Sequence, residues 1–226
     1  MGVKAVIFDL DGVLIHPDFS IFKQARYEII DYLRNFNLEV RPESPFFKRV
    51  YDSLMEAFGD NPSKVHVIYS NVSKIAEKYE LRALKSIKLH SEAYYILYQL
   101  KQKGYLVGIF SLSGRNYVQH ALSLLKCDEL VDICVSRDDP IRPKPYPDGI
   151  YLICKRLNIK PCECVFIGDT ILDAQTALNA QAIPIIVTKD NDYIFEEREK
   201  VFLLNKLTLD SLLNILASIK ESAGKQ

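Results

Sequence analysis

Short apolar runs recur along the chain, with longer segments between them whose apolar positions are spaced for helices. The runs are Ala5–Phe8, Val107–Phe110, Leu130–Val135, Val165–Ile167 and Ile183–Val187, with Val201–Leu204 as a candidate edge. They are rich in branched residues and apolar at consecutive positions. A strand of that kind is buried on both faces, as in a covered parallel sheet. Between them, Ala93, Ile96, Leu97 and Leu100 follow an i, i+3, i+4, i+7 spacing. So do Ile150, Ile153, Cys154 and Leu157, and Leu209, Leu212, Leu213 and Leu216. Strand–helix alternation predicts an open α/β sheet with helices on both faces.

One region breaks the alternation. Between about Phe19 and Ile87 no strand is predicted. Phe22, Ala25, Ile29, Leu33 and Phe36 form one helical stripe; Val50, Leu54 and Phe58 form a second; Val65, Ile68, Tyr69, Val72, Ile75, Ala76 and Tyr79 form the longest. The segments "RPES" and "GDNPS" punctuate them as turns. The expectation is an α/β core from residues 1–15 and 89–226 and an all-helical insert from residues 16–88. The last residues, "ESAGKQ", are expected to fray.

Composition adds limits. With 226 residues, 48% of them apolar and 26% charged, the chain reads as globular. Lys plus Arg and Asp plus Glu are 29 each. A zero net charge removes the global case for nucleic acid or an acidic membrane surface. No apolar run is long enough to span a bilayer, and the first residues enter a strand rather than a signal peptide. A cytoplasmic protein is expected. Five cysteines cannot all pair internally, and the C-x-C at Cys162 and Cys164 lacks further ligands for a metal. Nothing sets the oligomeric state; a monomer is compatible.

The chemistry lies at the strand ends. In "VIFDLDGVLI", Asp9 and Asp11 interrupt an apolar run. Residues two apart in an extended segment point to the same side, and in open α/β sheets ligands bind at the carboxyl ends of strands. Gly12 then permits a backbone path closed to other residues. "CVFIGDTILDAQ" repeats the pattern, with Asp169 after Gly168 and Asp173 four residues on. Four carboxylates gathered at two strand ends repel one another unless a cation is present, and an all-oxygen site with few carboxylates favours Mg²⁺. "IFSLSGR" places Ser111 and Ser113 after another strand, where hydroxyls and free N–H groups ahead of a helix form an anion site. Lys144 sits in the proline-stiffened "RPKPYPDG". A carboxylate nucleophile, a second acid, a metal, anion donors and a lysine suit phosphoryl transfer.

These motifs, "DLDGV", the strand-end Ser111, Lys144 in "RPKPYPDG" and "GDTILD", occur in the order found in the haloacid dehalogenase-like hydrolases. The whole chain resembles that superfamily, in particular its phosphatases with a small helical cap. Ser111 or Lys144 alone would read as a turn residue and a surface lysine; the set promotes them. The resemblance implies Asp9 as nucleophile and Asp11 as the acid and base. It implies Mg²⁺ held by Asp9, the Asp11 backbone carbonyl and Asp169, with Asp173 supporting that shell. Ser111 and the Leu112 amide would hold the phosphoryl oxygens, and Lys144 would balance their charge. The implied substrate is a small phosphorylated metabolite. Two positions depart from the family: Leu112 stands where Asn or a small polar residue is frequent, and Gln181 where Gly usually ends a helix. Within the enzymes a sugar phosphomutase is the alternative; a dehalogenase is disfavoured by Asp11. Outside them the alternative is a non-catalytic binding or scaffold protein. The insert carries 12 Lys and Arg against 10 Asp and Glu, a small excess that suits an anion. Its aromatics Phe22, Tyr27 and Phe58 read as packing.

Overall fold

A computed structural model of the chain describes residues 2–188 and 200–223. Six strands form one sheet: β1 (Ala5–Phe8), β4 (Leu106–Phe110), β5 (Ile133–Val135), β6 (Cys164–Gly168), β7 (Ile183–Val187) and β8 (Phe202–Leu204). The spatial order is β5-β4-β1-β6-β7-β8, and every neighbouring pair is parallel. The first strand therefore lies between β4 and β6. The pleat of β1 divides its side chains: Val6 and Phe8 join one core layer, Ala5 and Ile7 the other. The first layer is covered by α4 (Ala93–Gln102), α5 (Arg115–Leu125) and α8 (Leu209–Ala223), the second by α6 (Asp148–Leu157) and α7 (Ile171–Ala180). The predicted stripe on α4 is fully buried.

Two boundaries differ from the pattern by more than one residue. Of the run Leu130–Val135 only Ile133–Val135 is strand. Leu130 and Val131 are apolar because they pack on the core edge, while the chain there forms a single 3₁₀ turn over Asp128–Leu130. At the other end α8 continues through Ala223, into the tail expected to fray; residues 224–226 lie outside the described residues.

Between β1 and α4 the chain forms three α-helices: α1 (Phe19–Arg34), α2 (Phe46–Phe58) and α3 (Pro62–Ala83). The local signals are direct. Asp18 caps α1 by accepting from the Ser20 N–H, and Asn61 caps α3 by accepting from the Lys64 N–H, with Pro62 at the first helical position. The predicted stripes meet in a third apolar cluster that includes Ile29, Leu33, Val50, Leu54, Ile68 and Val72. An antiparallel two-residue ribbon, β2 (Ile15–His16) with β3 (Lys88–Leu89), brackets the insert. Two residues are too few to leave an alternation in the sequence. Among the described residues no helix is long and apolar enough to cross a membrane.

Candidate active site

Because β1 lies between β4 and β6, the residues following those three strands share one edge of the sheet. Asp9 follows β1, Ser111 follows β4 and Asp169 follows β6. The ladder runs one residue beyond β1, as the Asp9 N–H donates to the Ile167 carbonyl at 2.7 Å. The chain then turns at Gly12, whose φ is +87°. A Cβ there would lie 2.0 Å from Asp169 Oδ2. Glycine thus serves both the left-handed turn and the close approach of Asp169.

Oxygens of Asp9, Asp169 and Asp173 lie within 4.8 Å of one another. Lys144 Nζ stands 3.1 Å from Asp9 Oδ1 and donates to Asp173 Oδ1 at 2.8 Å. The lysine is 2% exposed, and its ammonium lies 4.9 and 4.8 Å from the ring centres of Phe110 and Phe166. Asp173 is at the third position of α7. It pairs reciprocally with Thr170, accepting from the Thr170 N–H and Oγ1–H at 3.1 and 2.6 Å. The acid therefore caps its helix and anchors Lys144 together. The Asp11 carboxylate stands outside the three-acid cluster. Ser113 Oγ donates to its Oδ2 at 2.7 Å and the Tyr117 hydroxyl to its Oδ1 at 2.6 Å.

The sequence pattern over this geometry matches the family model described as "Haloacid dehalogenase-like hydrolase" across residues 6–187. The chain belongs to that family. Pyrophosphatase PpaX of Bacillus thuringiensis (strain Al Hakam) is 28% identical over 226 residues, covering 98% of this chain and 100% of its own. A hydrolase from Pseudomonas syringae has a TM-score of 0.65 at 24% identity, covering 95% of this chain and 98% of its own. A protein described as a predicted phosphoglycolate phosphatase, from Haemophilus somnus 129PT, has a TM-score of 0.61 at 20% identity over 94% and 97%. The two structures share the fold with this haloacid dehalogenase-like hydrolase.

Phosphate-type donors are fewer than the strand-end serines suggested. The start of α5 was expected to offer free N–H groups. Instead Gly114 N donates to Glu80 Oε2, Arg115 N to Asp138 Oδ2 and Asn116 N to Glu77 Oε1, at 2.9, 2.8 and 3.0 Å. Two of those acids come from α3. Ser113 is spent as well, its N–H on Ser111 Oγ and its hydroxyl on Asp11. The Ser111 hydroxyl proton and the Leu112 N–H remain; the latter has no acceptor among the described residues. Arg115 and Arg142 are bound to Asp139 and Asp148 and do not serve the site.

The electrostatics show what the acids lack. Burial raises the Asp9 pKa well above the ordinary value; Lys144 opposes this, and Asp173, Asp169 and Asp11 add to it. Burial and then Asp173 push Asp169 to about 7. Asp11 is raised to about 6 by burial, against the Tyr117 and Ser113 hydrogen bonds. Burial works against the Lys144 ammonium, yet Asp173 and Asp9 together hold its pKa above the lysine norm. One ammonium does not neutralise three clustered carboxylates. A hard divalent cation with oxygen ligands fits this donor set.

Above these groups is a cavity of about 200 Å³. Asp9, Asp11, Leu112, Lys144 and Asp169 form its floor; Phe19, Phe22, Arg26, Phe46 and Phe47 of the insert line it from above. Phe22, expected to serve packing alone, both lines the cavity and meets the Tyr117 ring edge-on at 6.0 Å. Tyr27 is exposed, and Phe58 packs within the insert.

Proposed function

We propose that this hydrolase is a Mg²⁺-dependent phosphatase for a small phosphorylated metabolite, acting through an aspartyl phosphate on Asp9. The observation that carries the reading is the cluster of Asp9, Asp169 and Asp173 with Lys144 bonded to two of them. Residues 16–88 would be the cap domain and residues 1–15 and 89–226 the core, with the β2–β3 ribbon as the junction.

In this reading Ser111 Oγ, the Leu112 N–H and Lys144 hold the phosphoryl oxygens. An Asp9 oxygen attacks phosphorus and the bond to the leaving oxygen breaks. Asp11 gives that oxygen its proton. A pKa of about 6 suits a group that must donate and then accept. Asp11 next takes a proton from water, whose oxygen attacks phosphorus; the phosphorus–Asp9 bond breaks, and phosphate and free Asp9 are restored. Asp9, Asp169 and the Asp11 backbone carbonyl would hold Mg²⁺, which supplies charge neutralisation on the transferring group. Asp173 acts through Lys144. The five cysteines are all free thiols, which suits a cytoplasmic site.

A phosphoanhydride is a second substrate class, favoured by the full-length match to a relative named as a pyrophosphatase. The test is hydrolysis of p-nitrophenyl phosphate, a metabolite-phosphate panel and pyrophosphate, with Mg²⁺ and after EDTA. We expect metal-dependent turnover that drops by ~10⁴ or more in Asp9→Asn. Turnover that survives in Asp9→Asn excludes the covalent route.

A further inference from the structure

The insert presents two charged side chains to the cavity, Arg26 and Glu80. Glu80 is already spent, on Arg137 and on the Gly114 N–H. Arg26 is the contrary case. Among the described residues three arginines are buried or half-buried: Arg26, Arg115 and Arg137. Arg115 is bonded to Asp139 and Arg137 to Glu80. Among the described residues Arg26 has no carboxylate partner; its Nη1 donates to the Pro42 carbonyl at 2.9 Å, and its guanidinium lies 5.7 Å from the Phe46 ring centre. A guanidinium has five N–H donors in a planar fork, and one is used here.

A cation withdrawn from water without a counter-ion is unfavourable. Its placement over a cavity whose floor holds Lys144 and Asp9 provides the missing partner if the ligand carries it. The remaining walls from the insert are Phe19, Phe22, Phe46 and Phe47, together with Ser44 and Pro45. Of these only Ser44 carries a polar side chain, and it is uncharged. The cavity, about 200 Å³, is below the usual range for drug-sized ligands. It has room for a phosphoryl group and a short remainder.

We propose that Arg26 determines specificity by binding a second anionic group, a carboxylate or a phosphate, at the far end of a small substrate whose reacting phosphoryl group sits at Asp9. This deepens the phosphatase reading and rests on it. The guanidinium fork matches either anion in a bidentate manner. The two sources of that anion are separated by experiment: a phosphorylated 2-hydroxy carboxylate, represented by phosphoglycolate, and inorganic pyrophosphate.

The test compares kcat/KM of the full-length wild type, Arg26→Gln and Arg26→Lys with Mg²⁺ on three substrates. They are phosphoglycolate, pyrophosphate and p-nitrophenyl phosphate, whose leaving group carries no second anion. We expect the wild type to favour at least one two-anion substrate. The ratio of its kcat/KM to that for p-nitrophenyl phosphate should fall ~10–100-fold in Arg26→Gln, the scale of a charge-assisted hydrogen bond. Arg26→Lys should recover part of it, through KM. The two-anion substrate that loses the most identifies the anion as carboxylate or phosphate. A ratio that moves less than about threefold overturns the assignment. Wild-type turnover of p-nitrophenyl phosphate alone defeats this proposal and leaves the phosphatase reading intact; no turnover of any of the three defeats both.

Discussion

Glu80→Gln is the substitution whose effect is best determined by the structure. Glu80 lies on α3 and Arg137 follows β5, with side-chain exposures of 6% and 0%. The pair is bidentate, at 2.5 Å from Nη1 to Oε1 and 3.0 Å from Nη2 to Oε2. Arg137 also donates to Ser73 Oγ, the Ser73 carbonyl and the Leu112 carbonyl. Removing one partner of such a pair leaves a buried charge uncompensated, at roughly 3–5 kcal/mol. Gln keeps the volume and one acceptor, so the low end, about 3 kcal/mol, is expected. For a domain of this size that lowers Tm by roughly 6–12 °C. Urea denaturation and calorimetry measure it. The exposed Lys78–Glu28 pair supplies the contrast, since Glu28→Gln should change stability by under ~1 kcal/mol. Arg137→Met with Glu80→Leu removes both charges and should cost less than either single change. A loss below ~1 kcal/mol in Glu80→Gln, or a double variant worse than both singles, would refute the account. Activity should fall too, because Arg137 holds the carbonyl of Leu112.

Three further outcomes are expected. Gly12→Ala places a Cβ 2.0 Å from Asp169 Oδ2 at a φ of +87°; it should destabilise by ~1–3 kcal/mol and weaken Mg²⁺ binding, read by calorimetric titration. Tyr117→Phe removes a hydrogen bond that lowers the Asp11 pKa; the alkaline limb of the kcat/KM profile should move to higher pH, and an unmoved limb counts against Asp11 as the acid. In metal-free protein, Asp11 and Asp169 bind protons more tightly folded than unfolded, at about 6 and about 7 against 3.8. Their contribution to stability is full below 3.8 and is lost as pH rises through 6 and 7. Thermal melts after EDTA should show that loss between about pH 4 and 7, Asp169→Asn should flatten it, and Mg²⁺ should raise Tm more at about pH 8 than at about pH 5.

The part of the site legible in the sequence is the part written in local contrast. Asp9, Asp11 and Asp169 stand out because an acid in an apolar run is costly unless it has a task. Asp173 could be placed on the same face as Asp169 from their four-residue spacing where a helix begins near Thr170, and the Thr170–Asp173 capping box starts α7 there. Strand bounds were legible to within a residue where the run is apolar at consecutive positions: β1 and β7 run over the predicted residues, and β6 extends its run by one at each end. Gln181, at a position usually glycine, adopts the left-handed conformation with φ 61° and still ends α7. The rest depends on contacts between distant positions. Tyr117 lies in an apolar stripe of α5 and reads as core; its hydroxyl meets Asp11 across 106 residues. Arg137 and Glu80 are 57 apart, and each alone reads as a surface charge.

At the start of α5 a local rule holds while the anions come from within the chain. A helix N-terminus attracts anions because its first N–H groups are unpaired and its dipole is positive there. The rule led to an anion site on the turn that begins at Ser111, ahead of the helix. The anions that come are carboxylates of the chain: Glu80 and Glu77 from α3 and Asp138 from the turn after β5. The dipole is thus used to fasten the helical insert to the core, two residues beyond Leu112, which lines the cavity. The same turn therefore sets where the insert rests and where the Leu112 N–H points. A change that loosens the insert at Glu77 or Glu80 should reach the phosphoryl group through that N–H, without touching Asp9, Asp169 or Lys144.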